Sequence, residues 1–231
     1  MRFGRPAVGT NTARAGRLRA PCGSCDAPAD GREVTVTGPI VEGVRSMAPA
    51  AARGAVERDA GQLRDGTPVS VRPLVAQDRA QLLAGYSALS HRSRRARFLH
   101  GVSDEQFARM LPILLDSVDQ HDHVALVLQA AGRPIGVGRL RRFTADPAVA
   151  DLAVTVADDW QGRGAGSVLA REVVAAAGDI REIRTVVSAD NRASLRMLAG
   201  LGELRSECGN GDCDVVVRLD RPPAAARADA A

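Results

Sequence analysis

The residues best suited to chemistry lie in Val154-Thr-Val-Ala-Asp-Asp-Trp160-Gln161-Gly162-Arg163-Gly164-Ala165-Gly166. Apolar residues up to Val156 read as a strand, and the glycine-rich turn behind it opens a helix. The first N–H groups of a helix have no partner inside it, and the helix dipole is positive at that end. A phosphate is the natural occupant of such a turn. Gly162, Gly164 and Gly166 let the main chain approach phosphate oxygens with no Cβ in the way. The spacing is not that of the dinucleotide fingerprint GxGxxG, and the loop falls late in the chain. The plain alternative is an ordinary glycine-rich connection.

Gln161-Gly-Arg-Gly164-Ala-Gly166 fits the pattern Q/R-x-x-G-x-G/A at each fixed position, with the apolar Val156 five residues before it. Asn191-Arg-Ala-Ser194 follows downstream, between a strand and a helix. In these features the chain resembles the GNAT (Gcn5-related N-acetyltransferase) superfamily, over about residues 67–220. Arg72-Pro73-Leu74, Leu89-Ser-His-Arg-Ser93 and the loop itself are similar to the GNAT domain of actinobacterial protein-acetyltransferase-like proteins.

The resemblance implies an α/β fold with a mixed sheet of about seven strands and flanking helices. Its fourth and fifth strands, Val149–Val156 and Ile183–Ser188, would splay apart. It implies acetyl-CoA as co-substrate and no metal. The pantetheine arm would fill the gap like an added strand, on the backbone of Val154, Thr155 and Val156. The diphosphate would sit on Gln161, Gly162, Arg163, Gly164, Ala165 and Gly166. Asn191 would bond the arm, and Ser194 would lie near its sulfur. Asn191 equally suits a helix N-cap, and Arg163 equally suits solvent.

Acetyl transfer needs a neutral amine, yet a free alkyl amine has a pKa near 10. A carboxylate, directly or through water, can take that proton. Asp151 is the candidate, at a strand position where related GNAT proteins carry Glu. Being one methylene shorter, it favours a water bridge. Its alternative is a solvated strand-end carboxylate. The Val154 N–H would face the oxyanion. Many GNAT enzymes place a Tyr seven residues after the Asn to protonate the leaving thiolate. Here that position is Leu198, and the sole Tyr is Tyr86. This departure keeps open a rival of another class, a non-catalytic acyl-CoA-binding or sensing module. The acceptor is an amine-bearing small molecule, a protein lysine or a protein N-terminus. The sequence does not indicate the oligomeric state.

Other motifs carry less. Cys22-Gly-Ser-Cys25 lacks two further ligands for zinc. Cys208 and Cys213 flank Asn210-Gly211, a type I′ turn signal, so they face one another across a hairpin. A disulfide is geometrically possible, but a cytoplasmic location, the expected one, favours free thiols. His121-Asp-His123 has no third ligand and reads as a solvated strand entry. Arg92, Arg94, Arg95 and Arg97 are spaced around a helix. They suit either a solvated surface or recognition of an acidic substrate. Asp158 and Asp159 read as turn or capping residues, and Trp160 as packing under the loop.

These residues must be positioned by a regular scaffold. Strands are expected at 69–73, 123–129, 135–143, 149–156, 183–188, 204–208 and 214–219. Helices are expected at 74–89, 90–98, 164–177 and 191–200. Another should follow the capping box Ser103-Asp-Glu-Gln106, with Pro112 bending or shortening it. Residues 1–62, rich in Ala, Gly, Pro and Arg, read as a disordered extension with at most one short strand near Val34–Val44. Residues 63–220 form the domain, and 221–231 a flexible tail.

Composition bounds the rest. The 231 residues are 45% hydrophobic, enough for a packed core. There is no lysine, which excludes a Walker-A loop, a Schiff-base enzyme and a pyridoxal-phosphate site. The net charge is +4, but residues 63–220 balance 20 Arg against 20 acids. With six aromatics in all, nucleic-acid binding is not expected. No apolar run is long enough for a membrane span, so no membrane partner is expected.

Overall fold

The computed structural model describes residues 56–220. Eight strands form one mixed sheet: β1 (Arg58–Gln62), β2 (Pro68–Pro73), β3 (His123–Ala130), β4 (Arg133–Phe143), β5 (Asp146–Val156), β6 (Glu182–Ser188), β7 (Gly202–Gly209) and β8 (Asp212–Leu219). Their spatial order is β1-β2-β3-β4-β5-β6-β8-β7. Five helices cover it: α1 (Arg79–Ala88), α2 (His91–Phe98), α3 (Asp104–Asp116), α4 (Ala165–Ala177) and α5 (Arg192–Ala199).

The central strand β3 is His-Val-Ala-Leu-Val-Leu-Gln-Ala, buried at every residue, as an apolar run covered on both sheet faces must be. Strand alternation sorts its side chains. Val124, Leu126 and Leu128 pack with Leu140 and Leu152 against Leu169 and Val173 of α4. On the opposite face Ala125 and Val127 meet Leu82 of α1 and Leu115 of α3. Helix α4 lies so close to β4 that a Cβ on Gly138 would stand 2.7 Å from Val173 Cγ2. The three helices of the other face share a cluster in which the Tyr86 and Phe107 rings stack at 4.0 Å.

Strand β5 is paired with β4 without a break from Arg142↔Ala150 through Gly136↔Val156. With β6 it pairs in parallel only at Val149↔Glu182 and Ala150↔Ile183. Strand β6 is held along its other edge by β8, from Glu182↔Arg218 to Ser188↔Asp212. Beyond Ala150 the two strands therefore diverge, and a last tie runs from the Thr185 hydroxyl to the Leu152 carbonyl at 3.4 Å.

Several expectations need correction. Residues 58–62 are not extension but the edge strand β1, paired with β2. In Arg-Asp-Ala-Gly-Gln only Ala60 packs on the core, so no apolar alternation announces a strand. The sheet thus has eight strands, and the splay falls between the fifth and sixth. Pro112 does not end α3, which runs on to Asp116. The Ser103–Gln106 capping box forms as expected, with Ser103 N donating to Gln106 Oε1 at 2.7 Å. His123 is not solvated but buried at 5% exposure, while His121 lies in solvent. Cys208 and Cys213 are joined as a disulfide rather than free, their Cα atoms 4.0 Å apart across the β7–β8 hairpin. Asn210 and Gly211 both have positive φ, as a type I′ turn requires. The Val34–Val44 strand, the Cys22–Cys25 pair and the tail from 221 lie outside the described residues.

Candidate active site

The segment after β5 is a short 3-10 turn, Asp158–Trp160, followed by the glycine loop and α4. Gly162 and Gly164 have φ of +77° and +96°, where a side chain is strained. The N–H groups of Gly162, Gly164 and Gly166 have no partner among the described residues. They form a ring of donors at the positive end of α4. At Gly166 a Cβ would make only ordinary contacts, 3.5 Å from Met197 Sδ and 3.8 Å from Val156 Cγ2. The open space there lies toward the cleft.

Side chains fix this loop from behind. Gln161 Nε2 donates to the Val156 carbonyl at 3.1 Å and to Ser93 Oγ at 3.0 Å. Asp158 accepts from Ser90 N at 2.7 Å and from the Ser93 hydroxyl, tying the start of α2 to the loop. These hydrogen bonds hold its carboxyl below the usual carboxylate range against the opposing effect of partial burial, which is the largest single influence. Arg163 turns away from the cleft, with its guanidinium 4.9 Å above the Trp160 ring and 3.4 Å from Asp65. Its carbonyl accepts from Arg64 N at 3.0 Å, which joins the loop to the β1–β2 turn.

Between the diverging strands lies a cleft of about 680 Å³. Val154, Thr155, Val156, Gln161, Gly162, Gly164 and Gly166 line one side, and Ser188, Asn191 and Ser194 the other. The Leu152 carbonyl faces β6, so strand alternation turns the backbone groups of Val154 and Val156 to the same edge. The Val156 carbonyl is taken by Gln161. Neither the N–H nor the carbonyl of Val154 has a partner among the described residues. Asn191 Oδ1 accepts from Ser194 N at 3.1 Å and so caps α5. Ala165 is buried in the core and does not line the cleft.

Asp151 does not line the cleft. It is exposed on β5 opposite Arg141, on the same sheet face as Ala153 and Thr155. On that face stand Arg97 of α2 and Arg139 of β4. Burial lowers both guanidinium pKa values, Arg139 to about 10, and the Asp151 carboxylate works against that lowering. Arg139 donates to His123 Nε2 at 2.7 Å. Burial first, then the Arg139 charge, push the His123 pKa down to about 4, so the ring is neutral. The sole Tyr is no candidate acid: it is buried, and its hydroxyl donates to the Val102 carbonyl at 2.6 Å. Leu198 is core. The sequence reading missed Arg64 and Arg196, which line the cleft beside Arg92, Arg95 and Arg97. Arg64 belongs to a turn whose place beside the loop depends on long-range pairing, so no local pattern marks it. Among the described residues there is no three-residue cluster suited to a metal ion, and no helix is long and apolar enough to cross a membrane.

A family model described as acetyltransferase (GNAT) domain matches residues 69–202. The chain belongs to the GNAT acetyltransferase family. It is similar to an acetyltransferase of Pseudomonas aeruginosa, PA5475, at 32% identity over 76% of this chain and 97% of that protein. It is 30% identical to the acetyltransferase Pat of Mycolicibacterium smegmatis over 70% of this chain, and spans 48% of that longer protein. Among solved structures, the GNAT domain of S. lividans PAT superposes with a TM-score of 0.62 at 26% identity, over 71% of this chain and 97% of that one. GNAT membership and the named acetyltransferases make this chain an enzyme of the N-acetyltransferase class and disfavour the non-catalytic alternative.

Proposed function

We propose that the chain moves an acetyl group from acetyl-CoA directly to a primary amine. The observation that carries this reading is the unpartnered backbone edge at Val154, opening on a gap beside a ring of free loop amides. These residues fit a coenzyme A thioester. The amides of the pantetheine arm would complete the Val154–Val156 edge, as a bound peptide completes a sheet. The loop N–H groups of Gly162, Gly164 and Gly166, with that of Ala165, would hold the diphosphate. Gln161 acts behind the loop by bracing it, Arg163 by pinning it to Trp160 and Asp65. Arg64, Arg92, Arg95 and Arg196 of the cleft supply further positive charge. Asn191 caps α5 through its oxygen, which leaves its NH₂ to donate to the arm. Ser194 lies on the same wall.

When bound, the thioester supplies an activated acyl carbon. The amine nitrogen attacks that carbon, and the carbon–sulfur bond breaks. Asp151, through water, removes the amine proton. The Val154 N–H faces the oxygen on which charge develops. No tyrosine waits at Leu198, so the thiolate leaves as such and takes its proton from solvent. A thiolate is a stable enough leaving group for that.

The test is thermal denaturation with and without acetyl-CoA, followed by release of free coenzyme A in the presence of an amine panel. Binding at 100-fold excess over Kd stabilises by about 2.7 kcal/mol, which raises Tm by several degrees. An unchanged Tm at millimolar acetyl-CoA overturns the reading.

A further inference from the structure

A second cavity, of about 150 Å³, lies under α1–α3 against the sheet face that carries Asp151. Leu82, Tyr86, Phe98, Phe107, Leu111 and Val137 make it apolar. It meets the cleft at Arg97 and Thr155, which line both. Arg139, Gln81 and Asp78 are its other polar lining, and the Asp78 carboxylate is taken by Arg72.

Three other partly buried arginines of the domain each have an acidic partner. Arg72 pairs with Asp78, Arg94 with Asp104 and Arg142 with Asp179. Arg97 and Arg139 do not. Among the described residues no carboxylate lies within ion-pair distance of either. Arg97 stacks over the Phe98 ring at 4.8 Å, and Arg139 rests on a neutral His123 and the Leu114 carbonyl. Asp151 is the carboxylate that acts on both, and it stands beyond ion-pair distance. Partly withdrawing two cations from water without a directly bonded counter-ion is costly. A fold keeps such a pair where a ligand brings the anion.

We propose that Arg97 and Arg139 bind the carboxylate of the acceptor, whose apolar side chain enters the cavity: the acceptor is an apolar α-amino acid. This rests on the acetyl-transfer reading above and names its substrate class. An α-amino acid carries its carboxylate one carbon from its amine, so a molecule held by the two arginines brings its nitrogen toward Asp151 and the β5 edge. The cations also favour the neutral form of that amine, the form that attacks. A polyamine or a lysine side chain brings positive charge to the same place and no anion.

The experiment measures coenzyme A release from acetyl-CoA by the full chain with leucine, leucinamide and Nα-acetyl-lysinamide. Leucine is expected to exceed leucinamide in kcat/KM by roughly 10- to 100-fold, as loss of a charge-assisted contact implies. In Arg97→Gln and in Arg139→Gln that ratio is expected to fall toward one. The ratio is internal to each variant, so altered overall activity does not blur it. Acetyl-CoA-induced Tm shifts are recorded on the same samples. If acetyl-CoA leaves Tm unchanged, the acetyl-transfer reading falls and this proposal with it. If acetyl-CoA binds while leucinamide or Nα-acetyl-lysinamide matches leucine, or nothing in the panel is acetylated, the carboxylate assignment alone is overturned.

Discussion

Asp151 stands among Arg97, Arg139 and Arg141, on the strand that runs into the glycine loop. In its proposed role as proton acceptor it would act on the amine and have no part in holding the thioester. Asp151→Asn is therefore expected to slow acetyl transfer by about 10²-fold, within the range for loss of a general base. The acetyl-CoA-induced Tm shift should persist; initial rates and melting curves on one preparation check both. His123 makes a separate prediction. Its folded pKa of about 4 lies below the ordinary 6.5, so the unfolded chain binds more protons between those values. Stability is then full above pH 6.5 and falls as pH drops toward 4, by on the order of 3 kcal/mol. Denaturant titrations from pH 7 to pH 4 check this, and His123→Gln should flatten the slope. A His at a strand entry looks solvated in sequence. The Arg139 guanidinium at Nε2 and the Ser117 hydroxyl and carbonyl, each 3.0 Å from Nδ1, reveal why it is buried.

The loop and α4 form the element on which the proposed binding of acetyl-CoA depends. Gly162 and Gly164 are required by their own backbone angles, whereas Gly166 is not. Gly166→Asp places a carboxylate in the first turn of α4, where the helix dipole favours it, and faces it toward the cleft. The fold is expected to keep its Tm within about 2 °C, since a surface change of this kind costs little, while the shift caused by acetyl-CoA disappears. A variant that still responds to acetyl-CoA like the parent contradicts the assignment of the loop. Asp158→Ala removes the carboxylate that holds Ser90 N and the Ser93 hydroxyl. It should destabilise by about 1 kcal/mol, the usual net worth of a hydrogen bond, and raise the KM for acetyl-CoA by loosening α2 against the loop. Steady-state kinetics and chemical denaturation check that pair of effects. The loop was legible in sequence because its constraints are local: glycine spacing, a strand before and a helix behind. The turned-away Arg163 was not, since its partners Asp65 and Trp160 meet only through the fold.

Across the whole molecule, the sheet holds two strands together at one end and lets them part at the other. The outer edges of both are fixed, β5 by β4 and β6 by β8, so the gap is built into the topology. The strands from Val69 onward were legible because period-two alternation or continuous apolar runs mark them. The edge strand β1 was not, because an edge position with a single packing residue leaves no pattern. The turn between β7 and β8 was legible from Asn210-Gly211. Its disulfide state was not, because pairing depends on redox conditions as well as on geometry. Backbone hydrogen exchange, residue by residue along β5, tests the splay most directly. In the free protein the amides of Ala153 and Thr155, bonded to β4, should exchange slowly, and those of Val154 and Val156 fast. Saturating acetyl-CoA should slow Val154 and Val156 selectively. Amides of Val154 and Val156 already protected without acetyl-CoA, and unchanged by it, would contradict the gap as the place where acetyl transfer happens.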